Sequence, residues 1–457
     1  MIFFTDKNGR GLDELPATHY HDITIGEKKY PTTEACVEAL AGIVNFSPGG
    51  GSPEIPEEPE ETPKWQPHPD WWDIKKIFDA DTDPNKRFIM LMTDSNNAIT
   101  LEQAKLGNAT AYYKTSDGAT YNTATNTHTC DNGQDKPCGA GYKTRWVMVY
   151  SPNADVICNV ATIDVIWVYI GNESKVTSFV GNGFSNTATA NVILEAIECD
   201  DSVTGATNAI ASYAFCDCSA LVNMTIPKDV TDIGLRSFIY CFGLRNIVIP
   251  NSVTTIGDYA FMADYSLCNI DLPDSITSIG ENAFQACYGV NLNIPKNVTV
   301  IKNGAFSSCY GLKKIDIPSS VTSIGTQTFM NCVNVSFVQI QNGVTAIGAS
   351  AFSGIYTLRS IIIPSSVTSI GSGAFGSLNG LLSFNCELGW VACANINLTQ
   401  STKLSVTSMI DFMYNLGLNT GGAVLITLGA TNMAKLTAIP EGLAAIAFAT
   451  SQGYTFA

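Results

Sequence analysis

The segment Ala305 to Gly325 reads AFSSCYGLKKIDIPSSVTSIG, and it decides the fold because close copies of it recur along the chain. One phenylalanine per copy returns every 22 or 23 residues. The phenylalanines are Phe215, Phe238, Phe261, Phe284, Phe306, Phe329, Phe352 and Phe375. A fixed period of this length predicts a solenoid, in which stacked units bury an apolar face that one unit cannot bury alone.

The spacing of apolar residues changes within each unit. Ile315 and Ile317 alternate with polar residues, as in a short strand, whereas residues 305–309 have the wider spacing of a turn or a short helix. Pro318 cannot donate to a neighbouring strand and ends this one. A second extended piece then leads to Gly325, where we expect a sharp bend.

The unit, with its AF, C, L, IP and SVTSIG signature, resembles the BspA-like leucine-rich-repeat family over about half of the chain. The resemblance implies a mainly β solenoid with short helices and repeats of about 23 residues. It also implies a surface protein that binds host, matrix or neighbouring cells and has no catalytic residues. Four positions depart from the pattern without disturbing the solenoid: Lys302, Gln341, Ile355 and Leu378.

Composition and pattern divide the chain into five predicted segments. DITIGEKKY predicts a strand and a turn, PTTEACVEALAGIV predicts a helix, and the proline- and glutamate-rich stretch that follows predicts an extended spacer. RWVMVYS and VATIDVIWVYI predict strands; after the repeats SMIDFMYNL and EGLAAIAFAT predict helices, and AVLITLG and YTFA predict strands. The predicted segments are a small N-terminal anchor (1–47), a Pro/Glu-rich spacer (48–64), a β-rich module (65–160), the BspA-like solenoid (161–386) and a C-terminal α/β cap (387–457).

The charge and hydropathy of the chain exclude several classes of protein. The formal net charge of −16 repels phosphate backbones, so nucleic acid is not an expected partner. No apolar run approaches the roughly 20 residues of a membrane-spanning helix. The first residues also lack the pattern of a secretory signal, so we expect a soluble chain without membrane insertion that is not exported by the general route.

The sequence predicts that the protein is not an enzyme. It contains no phosphate-binding loop of the Walker type, no GxSxG or HExxH motif and no CxxC pair, and it has only four histidines for acid–base work. Five of its fourteen cysteines share one position of the repeat, where we expect reduced thiols packed as small apolar groups rather than a metal or redox site. They are Cys218, Cys241, Cys287, Cys309 and Cys332.

Acidic residues offer one candidate metal site. Asp79, Asp81 and Asp83 have the spacing of a calcium loop, but Pro84 replaces the required glycine and Met90 stands where a bidentate glutamate belongs. The alternative is a solvated acidic turn.

Two histidines offer a second candidate metal site. His19 and His21 would face the same way on a strand, where several chains could surround a metal ion. The alternative is surface or interchain packing, and no other cofactor is predicted.

The functional prediction is a surface formed by the strand positions that alternate with the buried ones. The alternative is that these positions only tolerate variation and that contact is made elsewhere. The predicted receptor-binding residues are Asn223, Thr225, Asn246, Asn269, Asp271, Asn291, Asn293, Lys314, Asp316, Phe337 and Gln339, in a row that also includes Val248, Ser360 and Ile362.

The order of segments, the Trp-rich opening of the β-rich module and the end from LGATNMAKL to YTFA resemble tail-fibre or appendage proteins of bacteriophages. This resemblance implies a virion protein that docks to other virion proteins through residues 1–47, forms a homotrimer and binds a glycan or protein on the host cell. The alternatives are a BspA-like adhesin on a bacterial surface, a decoration protein of the virion and, more remotely, a depolymerase.

Overall fold

The structure is a computed structural model that describes two separate compact units, Met1–Lys64 and Trp65–Ala457. The described residues are 23–25, 28–30, 69–93, 98–99, 112–115, 120–122, 128–129, 144–150, 155–159, 165–171, 174–180, 194–205, 208–392, 394–419 and 424–457. In the first unit, β1 (Ile23–Ile25) pairs antiparallel with β2 (Lys28–Tyr30), which confirms the strand predicted for DITIGEKKY, whereas the residues of the predicted turn lie outside the described ones. The helix predicted after it and the spacer lie outside the described residues.

The second unit begins with one helix that packs on a sheet. The helix buries Ile74 and Phe78 in a cluster that also contains Ile89, Tyr150 and Trp167, although the strand-rich pattern of this segment does not predict it. The elements are α1 (Pro69–Ala80), β3 (Lys86–Thr93), β4 (Ala98–Ile99), β5 (Tyr112–Thr115), β6 (Thr120–Asn122), β7 (His128–Thr129), β8 (Thr144–Tyr150), β9 (Asp155–Asn159), β10 (Val165–Ile170) and β11 (Lys175–Val180).

The repeats form a solenoid of short parallel strands, as the period predicts. Each full unit contributes one strand to each of two sheets, and the AFxxC segments between them are turns. The strands are β12 (Ala196–Cys199), β13 (Thr204–Gly205), β14 (Ala209–Ile210), β15 (Asn223–Thr225), β16 (Asp232–Ile233), β17 (Asn246–Val248), β18 (Thr255–Ile256), β19 (Asn269–Ile270), β20 (Ser278–Ile279), β21 (Val300–Ile301), β22 (Lys314–Ile317), β23 (Ser323–Ile324), β24 (Phe337–Ile340), β25 (Ala346–Ile347), β26 (Ser360–Ile363), β27 (Ser369–Ile370) and β28 (Ser383–Cys386).

We call the strands of the LxxIxI segments the first sheet and those of the TSI segments the second sheet. The second sheet is continuous from β14 to β27 in the order β14-β16-β18-β20-β21-β23-β25-β27. The first sheet has two parts. Its N-terminal part, β12, β15, β17 and β19, belongs to the nine-stranded sheet β19-β17-β15-β12-β10-β3-β8-β5-β6, whereas β22-β24-β26-β28 stand apart. The N-terminal part of the first sheet therefore forms one hydrogen-bonded sheet with strands that precede the repeats.

The break in the first sheet coincides with the one short repeat. The unit from Phe284 to Phe306 has 22 residues, and its cysteine and proline, Cys287 and Pro295, are one residue closer than in the next unit. The missing residue falls just before the position at which the first-sheet strand begins in the other units, and residues 290–294 form no strand. Ladder pairing requires matched register on both sides, so the loss of one residue interrupts it.

The solenoid core is a stack of phenylalanine rings. Successive rings from Phe215 to Phe375 lie nearly parallel, with centroids 5.1 to 6.0 Å apart. The cysteines line a second row, in which the Sγ of Cys241 donates to the carbonyl of Phe215 at 3.0 Å and that of Cys287 donates to Phe261 at 2.9 Å. The cysteines from Cys199 to Cys386 are free thiols, and the five at the shared repeat position are fully buried, as predicted for an apolar ladder.

A C-terminal cap closes the last unit and shares its core. Trp390 is buried, and its Nε1 donates to the carbonyl of Val367 at 2.9 Å. The N-cap Ser405 accepts a hydrogen bond from Ser408 N, and Pro440 begins the last helix. The predicted strands and helices of this segment are confirmed, with one additional helix, α3. The elements are β29 (Ile396–Asn397), α2 (Val406–Asn415), β30 (Val424–Thr427), α3 (Gly429–Thr437), α4 (Pro440–Ser451) and β31 (Tyr454–Phe456).

Candidate binding surface

The side chains predicted for receptor binding lie on the outward surface of the first sheet, which we call the front face. In β15, for example, Met224 is buried while Asn223 and Thr225 on either side of it are half-exposed. All eleven predicted residues are half-exposed or exposed. The alternation places them outside the core, and their role in binding a receptor stays a prediction.

The N-terminal half of the front face carries a row of amides. Asn223, Asn246 and Asn269 are direct partners across β15, β17 and β19. The Nδ2 of Asn269 donates to the Oδ1 of Asn246. In the broken unit Asn291 and Asn293 are exposed, and Asn291 Oδ1 accepts from the backbone of the next unit at 3.4 Å. This half therefore offers a line of uncharged donors and acceptors, beside which the acid Asp271 and the apolar Val248 are exposed.

The C-terminal half, on β22, β24, β26 and β28, mixes charge with apolar surface. Lys314 Nζ lies 2.5 Å from the Oδ2 of Asp316 and 5.9 Å from the centroid of the Phe337 ring. Phe337 is 43% exposed and Ile362 is 54% exposed. The two halves thus differ in the lysine and the aromatic ring that the C-terminal half exposes.

An aromatic row that sequence reasoning missed lies at the entry to the first sheet. Phe242, Tyr265, Tyr288 and Tyr310 stack face to face, with centroid separations of 5.1, 4.8 and 4.6 Å. Burial raises the pKa of Tyr265, and the stacked rings leave their edges to solvent. The signal was present in the sequence, because each of these residues follows the cysteine position of its unit.

The second sheet displays a threonine row that is largely occupied by its own hydrogen bonds. The Oγ1 of Thr277 donates to the carbonyl of Thr254 at 3.3 Å, and the Oγ1 of Thr345 donates to the carbonyl of Thr322 at 3.0 Å. Because each hydroxyl already has a partner one unit away, the row fits a role in holding the units together. The front face is the better candidate for contact with another molecule.

A buried acid interrupts the cysteine row, and sequence reasoning did not single it out. Asp264 takes the cysteine position of its unit and is fully buried. Its Oδ1 accepts from Cys241 N at 2.9 Å, whereas its Oδ2 has no hydrogen-bond partner. Burial raises the pKa of the Asp264 carboxyl well above its ordinary value of 3.8.

The predicted calcium loop already holds a cation of the protein itself. The Nζ of Lys86 donates to the carbonyls of Phe78 and Asp81 at 2.6 and 2.5 Å. Asp81 Oδ1 and Asp83 Oδ1 accept from backbone amides two residues ahead, as in an ordinary turn. Across the described segments no three His, Cys, Asp or Glu side chains converge as metal ligands.

The metal site predicted at His19 and His21 lies outside the described residues, so that prediction is untested. Among the helices that the structure describes, none combines the length and the apolar character that crossing a bilayer requires.

Comparison with known proteins bears directly on the solenoid. Residues 182–312 and 284–390 match the family model described as "BspA type Leucine rich repeat region", in six copies. Residues 182–390, a little under half of the chain, are therefore similar to a BspA-type leucine-rich-repeat region. Solenoids of this type are typically non-enzymatic binding proteins, in agreement with the absence of catalytic motifs from the sequence. No curated protein sequence matches the chain significantly.

Solved structures of bacterial leucine-rich-repeat proteins are similar to this chain. A leucine rich cell surface protein from Faecalibacterium prausnitzii is 24% identical, with 56% of this chain and 77% of that one covered and a TM-score of 0.35. The T. pallidum leucine rich repeat protein is 24% identical over 42% and 83%, with a TM-score of 0.32. A Bacteroides ovatus leucine-rich repeat protein is 18% identical over 68% and 95%, with a TM-score of 0.34.

Proposed function

We propose that the protein is a non-enzymatic binding protein that presents the front face of its BspA-type region to a partner on a cell surface. The observation that carries this proposal is the contrast between the two sides of the first sheet. The inward positions repeat the same apolar residues, while the outward positions carry amides, charges and an exposed aromatic ring. A purely structural stack would not need Phe337 or Ile362 at the surface.

A bacterial cell-surface adhesin is the form of this function that we favour. BspA-type repeats support it, because the family implies surface proteins that bind host, matrix or neighbouring cells. The second candidate is a phage fibre or appendage protein. The order of the segments, the Trp-rich opening of the β-rich module and the sequence from LGATNMAKL to YTFA support that candidate. It carries with it the untested predictions of a homotrimer and of a dock to other virion proteins through residues 1–47.

Fractionation of the source culture distinguishes the two forms. Mass spectrometry should find peptides of the chain in the cell-envelope fraction and not in purified phage particles. Stoichiometric recovery from particles would instead establish the virion protein and exclude the adhesin.

Binding by the front face needs a test of its own. Labelled full-length protein is expected to bind cells from the natural habitat of the source bacterium in a saturable manner. The Asn269→Ala/Phe337→Ala variant should bind less, while Thr277→Ala/Thr345→Ala on the second sheet should bind as the unmodified protein does. Equal binding by both variants would mean that contact is made away from the front face.

A further inference from the structure

Positive charge collects on the C-terminal half of the front face, although the chain has a formal net charge of −16. Lys314 is exposed at the start of β22, and Lys313 and Arg359 are exposed one residue before β22 and β26 begin. Lys314 is the direct partner of Phe337, which in turn pairs with Ser360, the residue after Arg359. With neighbouring strands about 4.8 Å apart, Lys313 and Arg359 are separated by roughly 10 Å along the solenoid axis.

The acids near these cations are already engaged. Asp316 pairs with Lys314 at 2.5 Å. Glu387, beyond the last strand, accepts from Ser365 N at 2.8 Å and from Asn342 Nδ2 at 3.0 Å, and these hydrogen bonds lower its pKa. Because Asp316 neutralises Lys314, the positive charges of Lys313 and Arg359 remain to attract an anion.

The geometry favours an extended polymer over a folded ligand or a peptide strand. The cations and the Phe337 ring follow the solenoid axis on a sheet face, and both edges of β24 are already paired. A peptide therefore cannot add as a strand beside Phe337, and the edge strands of this sheet are β22 and β28. An exposed aromatic ring offers an apolar surface to the C–H groups of a sugar ring, and the amide row of the N-terminal half offers partners for hydroxyl groups farther along the same axis.

We propose that the C-terminal half of the front face binds a polysaccharide that bears carboxylates. Lys313 and Arg359 contact carboxylates on alternate sugars, and Phe337 packs against the sugar between them. The inference rests on the proposed function, for which it names the class of partner. A polysaccharide with carboxylates is the class chosen because its negative charges complement those of Lys313 and Arg359.

The test uses the full chain with polygalacturonate and, as an uncharged control of the same backbone, its methyl ester. Binding to polygalacturonate should weaken as salt rises, and the methyl ester should bind much less. The Lys313→Gln/Arg359→Gln variant should lose affinity by at least about tenfold, as should Phe337→Ser. The matched variant Lys228→Gln/Lys403→Gln removes the same charge from exposed lysines elsewhere and should bind normally.

Three results would overturn the proposal: equal binding of the ester, equal losses in both charge variants, or no binding to polygalacturonate. Polyglutamate serves as the peptide probe. Equal binding of polyglutamate, without any effect of Phe337→Ser, would assign the surface to acidic peptides instead. Circular dichroism of each variant excludes misfolding as the cause.

The cell-binding assay separates this inference from the proposed function. If the unmodified protein binds cells and the Lys313→Gln/Arg359→Gln variant binds them equally well, only the inference fails. If the unmodified protein binds no cells, the proposed function fails as well.

Discussion

Replacement of Asp264 by cysteine should stabilise the protein at neutral pH. Asp264 is fully buried in the cysteine row with one carboxyl oxygen unpaired, and such a group costs about 1–3 kcal/mol. A thiol at this position is of similar size and can donate to the carbonyl of Phe238, as Cys241 donates to Phe215. We therefore expect Asp264→Cys to gain about 1–3 kcal/mol at pH 7.

The gain should depend on pH because burial raises the pKa of Asp264 in the folded protein. Well below the ordinary value of 3.8 the carboxyl is protonated in both the folded and the unfolded chain, so its ionisation contributes nothing to stability. As the pH rises above 3.8, the unfolded chain releases the proton while the folded chain retains it. The unmodified protein is thereby destabilised, so the advantage of the variant grows with pH until the folded pKa is passed.

Urea unfolding followed by circular dichroism at pH 4 and pH 7 measures both effects. Asp264→Asn is the control, because it keeps the shape of the side chain and can pair with both Cys241 N and the Phe238 carbonyl. Both variants should raise the urea midpoint more at pH 7 than at pH 4. The reasoning would be refuted by a variant that is no more stable than the unmodified protein at pH 7, or by a gain that is independent of pH.

Three further predictions concern the solenoid core. Phe306→Ala should cost about 3–5 kcal/mol in urea unfolding because it removes a ring from the buried stack, whereas Phe337→Ala on the surface should change stability by less than about 0.5 kcal/mol. Gly280→Ala should cost about 1–3 kcal/mol, since its Cβ would overlap the backbone of Gly257 one unit away; an unchanged midpoint would contradict this packing. The core cysteines should react with a thiol reagent at pH 8 only after unfolding, because burial raises the pKa of Cys332 to about 12; rapid labelling of the native protein would show that the ladder opens.

The repeat could be predicted because its determinants are local. Residues such as Ile315 and Ile317 fix the inward side of a strand, and their recurrence fixes the stack, so the front face follows from simple alternation. The same reasoning places Lys314 and Phe337 outside the core. It cannot say what they bind, since affinity depends on a partner that the sequence does not contain.

Other features depend on relations between units. The 22-residue spacing before Phe306 is visible in the sequence, but the loss of a strand follows from register with both neighbours. Asp264 can be aligned with the cysteines, whereas its protonation depends on burial by the units above and below. Helix α1 was missed because its two buried residues, Ile74 and Phe78, are covered by strands that lie far along the chain.

The interrupted first sheet gives the solenoid an uneven stiffness. One sheet runs unbroken from β14 to β27, while the other lacks hydrogen-bonded strands at residues 290–294. We therefore expect a bending force to separate the two parts of the first sheet at residues 290–294 before it breaks hydrogen bonds between paired strands. The continuous second sheet would act as the hinge. The strands of the N-terminal half and of the C-terminal half of the front face lie on opposite sides of this hinge. Bending there would let both halves contact a long partner that is curved.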